Sequence, residues 1–503
     1  MRTPRRAATT AAVATAALAL TTAAASPAAA GNINNPKKMT RAITTENVMD
    51  HLETFQDIAD EHGDRGAGTP GYEASARYVE QTLQEAGYET ERQYFDFFYE
   101  EISAESLSEV SPDARDLEHA PMSYSPGTGT TPVTGTLAGP QTVTGCEIGD
   151  YAGADLTGQI ALVSRGVCSF AQKSQVANEA GAEAAIIYNN VDGALNGTLG
   201  EVLDDVVPTT GVSQALGQEL AAKAADGPVE VSFLLDKTQE VRETFNVIAE
   251  TEAGRDDNVV MVGAHLDGVH DGPGINDNAS GSAGILETAV QLGKAKKLNN
   301  KVRFAWWGAE ELGLVGSDHY VEDLVANEPE ALADIATYLN FDMIGSPNHI
   351  IGVYDADEST YEAPVEVPEG SAATEEVFTD YFDGIDQPWV DTEFSGRSDY
   401  SAFIANGVPA SGLFTGADGV KTEEQAALFG GEAGVTYDPN YHTPQDDISN
   451  IDVEALGTMS DAIGWATMSL ALDTSEINGK RSAGKSGKPH PKGPRPVGEQ
   501  DAA

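Results

Sequence analysis

The feature that most constrains the fold is an alternation of apolar strands and helices between residues 245 and 341. Apolar segments at 245–249, 259–264, 302–307 and 336–341 have the length and continuous hydrophobicity of buried strands. Helical periodicity fills 283–292 and 312–325. Because continuous apolar strands separated by helices indicate a parallel sheet that is covered on both faces, we predict an α/β fold with a mixed, largely parallel central sheet.

Two further regions precede this alternation. Residues 43–100 show the three- and four-residue apolar spacing of two helices separated by a glycine-rich turn. Residues 105–238 are richer in Thr, Gly and Pro, and contain predicted strands at 158–163 and 184–188 around a helix at 170–180. We expect this second region to form a compact, β-rich α/β module inserted into the main domain.

The two ends of the chain differ in composition from its body. Residues 1–30 begin with three arginines, continue into an Ala/Leu-rich segment and end in three alanines, which is typical of a cleaved secretory signal. Residues 479–503 are rich in Gly, Pro and Lys, so we predict a disordered basic tail. No later segment reaches the ~18 uncharged apolar residues that a membrane span requires. We therefore expect a secreted, extracellular protein.

The chain has two cysteines, Cys146 and Cys168, both inside the predicted insert. In an exported chain a disulfide between them is the default interpretation, because the compartment is oxidising. Two free buried thiols are the alternative.

The charge of the chain excludes several classes of function. It has 80 Asp and Glu residues against 29 Lys and Arg, a formal net charge of −51. This imbalance argues against proteins that bind nucleic acid or an anionic membrane through a basic surface. The segments 1–30 and 480–503 hold nine of the basic residues and only two of the acidic ones, so the body is more acidic still. Adaptation to high salt is one interpretation, and an ordinary acidic secreted protein is the other.

Side chains with metal-binding or catalytic chemistry follow three consecutive predicted strands and recur in two loops. They are His265, Asp267, Asp277, Glu310, Glu311, Asp342 and His442. The carboxyl ends of parallel strands meet at one edge of a sheet, where binding sites gather. Imidazole and carboxylate are ligands of Zn²⁺, and a shared carboxylate can clamp two metals ~3.5–4 Å apart. The spacing alone does not decide which of the adjacent Glu310 and Glu311 is a ligand and which is a base.

Two common hydrolase signatures are absent from the sequence. It contains neither an HExxH motif nor a GxSxG elbow. The sequence therefore does not support assignment to the single-zinc HExxH peptidases or to the serine hydrolases with a nucleophile elbow.

Five segments in order closely resemble the M28 metallopeptidases, in particular the secreted Streptomyces-type zinc aminopeptidases. They are GAHLD at 263–267, GINDNASG at 274–281, WGAEELG at 307–313, NFDM at 340–343 and YHT at 441–443. The likeness covers roughly residues 43–100 and 241–475. The insert resembles a protease-associated (PA) domain through residues 158–170 and 180–182.

The resemblance implies a zinc-peptidase fold and a division of the chain. The parts are a signal peptide at 1–30, the first part of the peptidase domain at 31–104, a PA-like insert at 105–238, the peptidase domain with a dizinc site at 239–478, and the tail at 479–503. The insert either limits access to the site and binds partners, or serves stability and secretion.

Carried over residue by residue, the resemblance implies two zinc ions per chain. His265 and Asp342 are implied as ligands of one zinc, and Glu311 and His442 as ligands of the second. Asp277 is implied as the bridge between them, which suits a carboxylate with two oxygens.

The same resemblance implies catalytic and substrate-binding roles. Glu310 is implied as the general base, which takes a proton from the attacking water and passes it to the leaving amine. Asp267 is implied to orient the His265 imidazole, and Tyr441 to help stabilise the oxyanion. Arg397 is implied to contact the peptide beyond the scissile bond, and Phe414 to line the side-chain pocket, with ordinary strand core as its alternative.

Two departures from the family pattern concern the end of the chain. Asn440 and Gln445 stand where some relatives carry a disulfide around the last metal ligand, so this loop must be held by other contacts. Asp461 suits the calcium site of some relatives, but Gly457 occupies the place of a second carboxylate, which argues against calcium.

The resulting prediction is a monomeric, secreted dizinc aminopeptidase, a metallo-exopeptidase that releases large apolar residues from peptides with a free N-terminus. A carboxypeptidase or glutaminyl-cyclase-like enzyme on the same fold is one alternative. A non-catalytic receptor or adhesin is the other.

Overall fold

A computed structural model describes residues 33–140, 143–151 and 154–480 of the chain. The predicted signal at 1–30 and residues 481–503 of the predicted tail lie outside the described residues. Within the described ranges, no helix is long and apolar enough to cross a membrane.

The described residues form fourteen strands in one sheet, flanked by α-helices. In chain order the strands are β1 (Thr90–Ser111), β2 (Arg115–Asp116), β3 (Ala120–Pro121), β4 (Val133–Ala138), β5 (Gln159–Ser164), β6 (Ala184–Tyr188), β7 (Thr209–Val212), β8 (Glu230–Glu250), β9 (Arg255–His265), β10 (Asn300–Trp307), β11 (Ile335–Asp342), β12 (Gly352–Tyr354), β13 (Val390–Thr392) and β14 (Ala410–Phe414). The helices are α1 (Pro36–Thr40), α2 (Thr45–His62), α3 (Pro70–Glu85), α4 (Phe170–Glu179), α5 (Gln214–Asp226), α6 (Gly281–Leu292), α7 (Val315–Asn327), α8 (Pro329–Ala333), α9 (Ser371–Gly384), α10 (Tyr400–Ala405), α11 (Glu423–Phe429), α12 (Val453–Leu472) and α13 (Ser475–Asn478).

One half of the sheet has the strand order β13-β12-β14-β11-β9-β10-β8. The central strands β10, β9, β11 and β14 are parallel to one another, whereas the flanking strands β8 and β12 pair antiparallel with β10 and β14, respectively. The prediction of a mixed, largely parallel sheet is confirmed. The predicted strand at 245–249 is the buried end of the much longer β8, whose middle residues are too polar to show a continuous apolar pattern.

Helices cover both faces of this half, as predicted. On one face α2, α3, α6, α9 and α12 bury the largest core, in which Phe55, Leu286 and Ile463 pack with the strand residues Val262 and Phe341. On the other face α7 and α10 pack against Trp307 and Tyr338. Alternate strand residues supply the two cores, because successive side chains point to opposite faces of a strand.

The other half of the sheet is the insert, in which β4, β5, β6 and β7 are parallel. Ala161 and Val163 of β5 face the core under α4, whereas Ile160 and Leu162 face the core that includes Leu220 of α5. The predicted β-rich α/β module is therefore present. Its two cysteines, Cys146 and Cys168, form a disulfide.

The long strands β1 and β8 form an antiparallel ribbon that passes through both halves. The first part of β8 pairs with β4 of the insert, and its last part pairs with β10. The insert is therefore connected to the main sheet by continuous backbone hydrogen bonding.

Candidate active site

The strand register brings the predicted site residues to one edge of the sheet. Trp307, which ends β10, lies opposite His265, which ends β9. In β11 Asn340 lies opposite Gly263, so Asp342 lies at the same height as His265. Phe414, at the end of β14, lies opposite Asp342. The carboxyl ends of four strands thus meet at one edge of the sheet, and His265, Asp342 and Phe414 line the same cavity there.

A sharp turn after β10 presents the two adjacent glutamates. The helix predicted at 312–325 begins only at Val315, because residues 309–314 turn instead of entering it. Ala309 and Leu314 have φ angles of 59° and 62°, and Gly313 has 106°. Glu310 and Glu311 lie inside this turn and both point to the strand edge, where they contact the two histidines.

The loop that carries Asp277 is held close to the backbone of β11. Asn278 donates from its side chain to the Phe341 carbonyl at 2.9 Å and accepts the Met343 amide at 3.2 Å. A Cβ atom at Gly281 would lie 2.3 Å from the same Phe341 oxygen, so only glycine permits this approach. These contacts set the distance between Asp277 and Asp342.

The loop that carries His442 is held by buried polar side chains. Asp446 accepts the backbone amides of Asn276 and Asp277 at 2.8 and 3.0 Å. Asn450 donates to Asp438 at 2.9 Å and accepts from Asn440 at 2.8 Å. This network holds the loop without a disulfide, and it also ties the loop to the neighbouring backbone of Asp277.

The five residues expected to bind metal form two groups that share one carboxylate. In the first group, His265 Nε2 lies 3.3 Å from Asp277 Oδ1 and 3.3 Å from Asp342 Oδ1. In the second, His442 Nε2 lies 3.1 Å from Asp277 Oδ2 and 3.0 Å from Glu311 Oε2. Each group offers ligand atoms within 4.8 Å of one another. Asp277 faces both groups, with one oxygen on each side.

The side chain of Asp267 does not make the expected contact with the His265 imidazole. His265 Nδ1 lies 3.0 Å from the backbone carbonyl of Asp267, but 3.9 Å from its carboxylate. The carboxylate instead accepts the backbone amides of Glu310 and Glu311 at 3.2 and 3.3 Å. Asp267 therefore orients the histidine through its main chain and the glutamate turn through its side chain.

Glu310 lies beside the ligand groups. Its Oε2 is 3.9 Å from His265 Nε2, and its side chain is buried. Burial raises the pKa of Glu310 well above its ordinary value, and burial also raises that of Glu311 to about 7. For His265 burial opposes the charge, yet the carboxylates of Glu310 and Asp342 raise its pKa overall. The site is thus a buried cluster of carboxyl groups whose ionisation burial opposes.

The donor set fits divalent metal ions. In the neutral His265 ring, the contact of Nδ1 with a carbonyl places the hydrogen on that nitrogen and leaves the Nε2 lone pair facing two carboxylate oxygens. Glu311 Oε1 is buried without a hydrogen-bond partner. A cation between these atoms would replace repulsion by coordination, and imidazole with carboxylate is a donor set that Zn²⁺ accepts.

A cavity of about 200 Å³ opens beside the first ligand group. Tyr441 and Arg397 line it, with Tyr441 OH 3.5 Å from an Arg397 guanidinium nitrogen, and Asp418 pairs with Arg397 at 3.2 Å. Phe414 also lines the cavity and stacks on Tyr354, whereas the adjacent Leu413 lies in the core. Burial raises the pKa of the Tyr441 phenol, which keeps its hydrogen available.

Sequence reasoning missed the polar side chains that support the ligands. Ser398 donates to Asp342 at 2.6 Å and accepts from Asn340 at 2.8 Å. Arg65 and Asp446 bind the backbone of the loops that carry His265 and Asp277. These supporting roles leave no local pattern in the sequence that would have identified them.

The region of Asp461 and Gly457, where the sequence argues against calcium, lies at a contact between two helices. A Cβ atom at Gly457 would lie 2.5 Å from Thr45 Oγ1, so contact between α12 and α2 explains the glycine. Burial raises the pKa of Asp461 to about 6. A separate cluster of acidic residues consists of Asp355, Asp357 and Glu375. The two buried residues, Asp355 and Glu375, accept hydrogen bonds from backbone amides of the 356–361 loop.

Comparisons with known proteins agree with this geometry. The model of peptidase family M28 matches residues 246–466, and that of the PA domain matches residues 133–220. Leucine aminopeptidase 2 of Trichophyton tonsurans is 43% identical over 447 residues, which cover 88% of this chain and 87% of that protein.

Two solved structures share the fold. An aminopeptidase from Aneurinibacillus sp. strain AM-1 superposes with a TM-score of 0.67 at 30% identity, and the match covers 86% of this chain and 95% of that one. BSAP, a zinc aminopeptidase from Bacillus subtilis, superposes with a TM-score of 0.58 at 25% identity over 86% of this chain and 98% of that one. The chain therefore belongs to peptidase family M28, carries a PA domain, and is an aminopeptidase of that family.

Proposed function

We propose that the protein is a dizinc aminopeptidase in which His265, Asp342 and Asp277 hold one ion, and Glu311, His442 and Asp277 hold the other. The observation that carries this proposal is the pair of three-residue groups that share the two oxygens of Asp277. The zinc aminopeptidase from Bacillus subtilis, which shares the fold, supports the choice of metal. When bound, zinc would polarise the scissile carbonyl and acidify the attacking water.

The residues of the chain would move the protons and hold the substrate. Glu310 is the general base: it accepts the proton of the attacking water and delivers it to the leaving amine. Tyr441 donates its hydroxyl hydrogen to the oxyanion that develops from the scissile carbonyl. Asp267 keeps Glu310 and Glu311 in place through the two backbone amides that it accepts.

The cavity favours a substrate with a free α-amino group and an apolar first side chain. The exposed carboxylates of Glu393 and Asp418 contribute negative charge to its lining. Among the described residues of that lining, Arg397 is the only Lys or Arg, and its pairing with Asp418 disfavours carboxylate binding. The rings of Phe414 and Tyr354 provide an apolar wall, and the related enzyme from Trichophyton tonsurans is named for leucine.

The test of this proposal compares wild type with Glu310→Gln, using leucine-p-nitroanilide. We expect the substitution to reduce kcat by at least about 10²-fold, the smaller contribution typical of a general base. Zinc content, measured by elemental analysis, should remain at two ions per chain, because Glu310 belongs to neither ligand group. Glu424→Gln, which changes an exposed carboxylate of α11 that does not line the cavity, is the control that should retain kcat.

Several outcomes would contradict the proposal. Full activity of Glu310→Gln would reject the mechanism, and activity that survives complete removal of metal would reject the cofactor. Preference for N-acetylated peptides, or release of C-terminal residues, would favour the alternative reactions on this fold. Wild-type protein without zinc or activity would favour the receptor or adhesin.

We further propose that the enzyme is secreted and acts as a monomer, with the domain division expected from its sequence. The support is the signal-like composition of residues 1–30, the disulfide in the insert and the PA-domain match at 133–220. The net charge of −51 supports adaptation to high salt. Activity and unfolding in a NaCl series test this last point, and indifference of both to salt would reject it.

A further inference from the structure

Arg65 is a buried cation next to the ligand loops, in the turn between α2 and α3. Its side chain is fully buried. Below it, the Phe55 ring of α2 lies 5.2 Å from the guanidinium carbon, which fixes the group against the core. Burying a charge is costly unless its donors are satisfied, so the partners of this group should explain its presence.

Those partners are backbone carbonyls from two different segments of the site. Nη1 donates to the Leu266 carbonyl at 2.7 Å, and Leu266 stands between His265 and Asp267. Nε donates to the Pro273 carbonyl at 2.9 Å, and Nη2 to that of Gly274. Gly274 stands three residues before Asp277. A single planar group therefore connects the segment of one expected ligand with the segment of the bridging ligand.

The two segments touch where Arg65 joins them. Gly274 has a φ of 60°, and a Cβ atom there would lie 3.2 Å from Gly268 Cα and 2.7 Å from the Asp277 carbonyl oxygen. A Cβ atom at Gly268 would in turn lie 3.3 Å from Gly274 Cα. The backbones are thus in direct contact, and the guanidinium connects them on one side.

We propose that Arg65 is a positioning residue for the metal centre: its guanidinium fork sets the separation between the His265–Asp267 segment and the Asp277 loop. This inference rests on the proposed dizinc function. The fork is suited to the task because five N–H donors in one plane can bind several carbonyls at once, whereas a lysine ammonium is a flexible point charge.

Charge and geometry make opposite predictions for a conservative substitution. Arg65 also lies near the carboxylates of Asp446, Asp267, Asp277 and Glu311, so its charge alone would stabilise the metal-free site. If charge were its whole role, Arg65→Lys would behave as wild type. If the fork sets the loop separation, Arg65→Lys keeps the charge and still loses metal affinity.

The experiment uses the full chain as wild type, Arg65→Lys and Arg65→Gln. Metal is removed with a chelator, and zinc is titrated back in competition with a chromogenic chelator. We expect both variants to bind zinc about 10- to 100-fold more weakly, the usual effect of losing a partner behind the ligands. The visible spectrum of the Co²⁺-loaded protein is the second readout, and it should change in Arg65→Lys if the ligand geometry changes.

Lys173→Met is the matched control. Lys173 is also fully buried and donates to the backbone carbonyls of Thr144 and Gly166 at 2.7 and 2.9 Å, but it lies in the insert. The Lys173→Met substitution should lower thermal stability but leave zinc affinity within about twofold of wild type. The sites are far apart in the fold, so their effects should be independent within that margin.

The outcomes separate the inference from the function on which it rests. Wild type that binds no zinc overturns the proposed function. Wild type that binds two ions while Arg65→Lys matches its affinity and Co²⁺ spectrum overturns the inference alone. An equal loss of affinity in Lys173→Met, or an Arg65→Lys chain that does not fold, would also overturn it, because Arg65 would then serve general stability.

Discussion

Asp446→Ala should destabilise the metal-free protein strongly, because one carboxylate satisfies two buried backbone donors. Asp446 is 2% exposed and accepts the amides of Asn276 and Asp277 at 2.8 and 3.0 Å. Truncation leaves both N–H groups buried without a partner, at about 1–3 kcal/mol each, so we expect a loss of about 2–6 kcal/mol. Asp446→Asn keeps one acceptor oxygen and should lose about half as much.

Urea unfolding of the metal-free proteins is the appropriate assay, since bound zinc would add its own stabilisation to every variant. Asp447→Ala is the control one residue along the chain, because that half-buried carboxylate accepts the amide and the hydroxyl of Ser449 at a short helical turn. We expect it to lose about 1 kcal/mol, as for a helix cap. A loss below about 1 kcal/mol for Asp446→Ala, or an equal loss for Asp447→Ala, would refute the argument, given the cost of unpaired buried amides.

Two further predictions concern single polar side chains. Ser398→Ala should weaken zinc binding about tenfold, because it removes the 2.6 Å hydrogen bond to Asp342, while kcat/KM measured at saturating zinc should fall less. Chelator competition measures the affinity, and unchanged affinity would contradict the role of Ser398. Asp461→Asn should stabilise the protein above pH 6, because burial raises the folded-state pKa of Asp461 from 3.8 to about 6, so the ionised form opposes folding. The gain in the free energy of unfolding should be absent below about pH 4 and reach about 1–2 kcal/mol by pH 7, after allowance for solvent screening. Urea unfolding at pH 4 and pH 7 tests this prediction, and a loss of stability at pH 7 would contradict it.

The sequence predicted the elements that carry a strong local pattern. The apolar runs of β9, β10 and β11 and the helical spacing of α2, α3 and α6 identify themselves without tertiary information. The expected ligands were found for a related reason, since they stand immediately after such strands or in a glycine-flanked loop. The parallel register then brings them together: Trp307 lies opposite His265, and Asp342 opposite Phe414.

Apart from the apolar end of β8 at 245–249, the ribbon of β1 and β8 was not predicted from the sequence. Much of the rest of its length is exposed or partly exposed, so it lacks the continuous apolar pattern of a buried strand. Its stability comes from cross-strand pairing between segments more than 100 residues apart, for example Phe97 with Arg242. Such pairing depends on the fold and leaves no local signal.

The supporting side chains of the site were unpredictable for a different reason. A buried arginine, aspartate or serine looks in the sequence like any surface residue, and only the fold shows that Arg65, Asp446 and Ser398 are buried against the ligand segments. Yet these residues account for the precision of the site, because each one binds either a ligand or the backbone beside it. The motifs therefore identify the expected metal ligands. The separation of those ligands depends on polar contacts from Arg65 in the turn between α2 and α3, Asp446 in the loop after His442 and Ser398 in the loop before α10. Substitutions at these three positions should alter metal affinity without changing any ligand, which is why zinc titration tests this structure more sharply than activity alone.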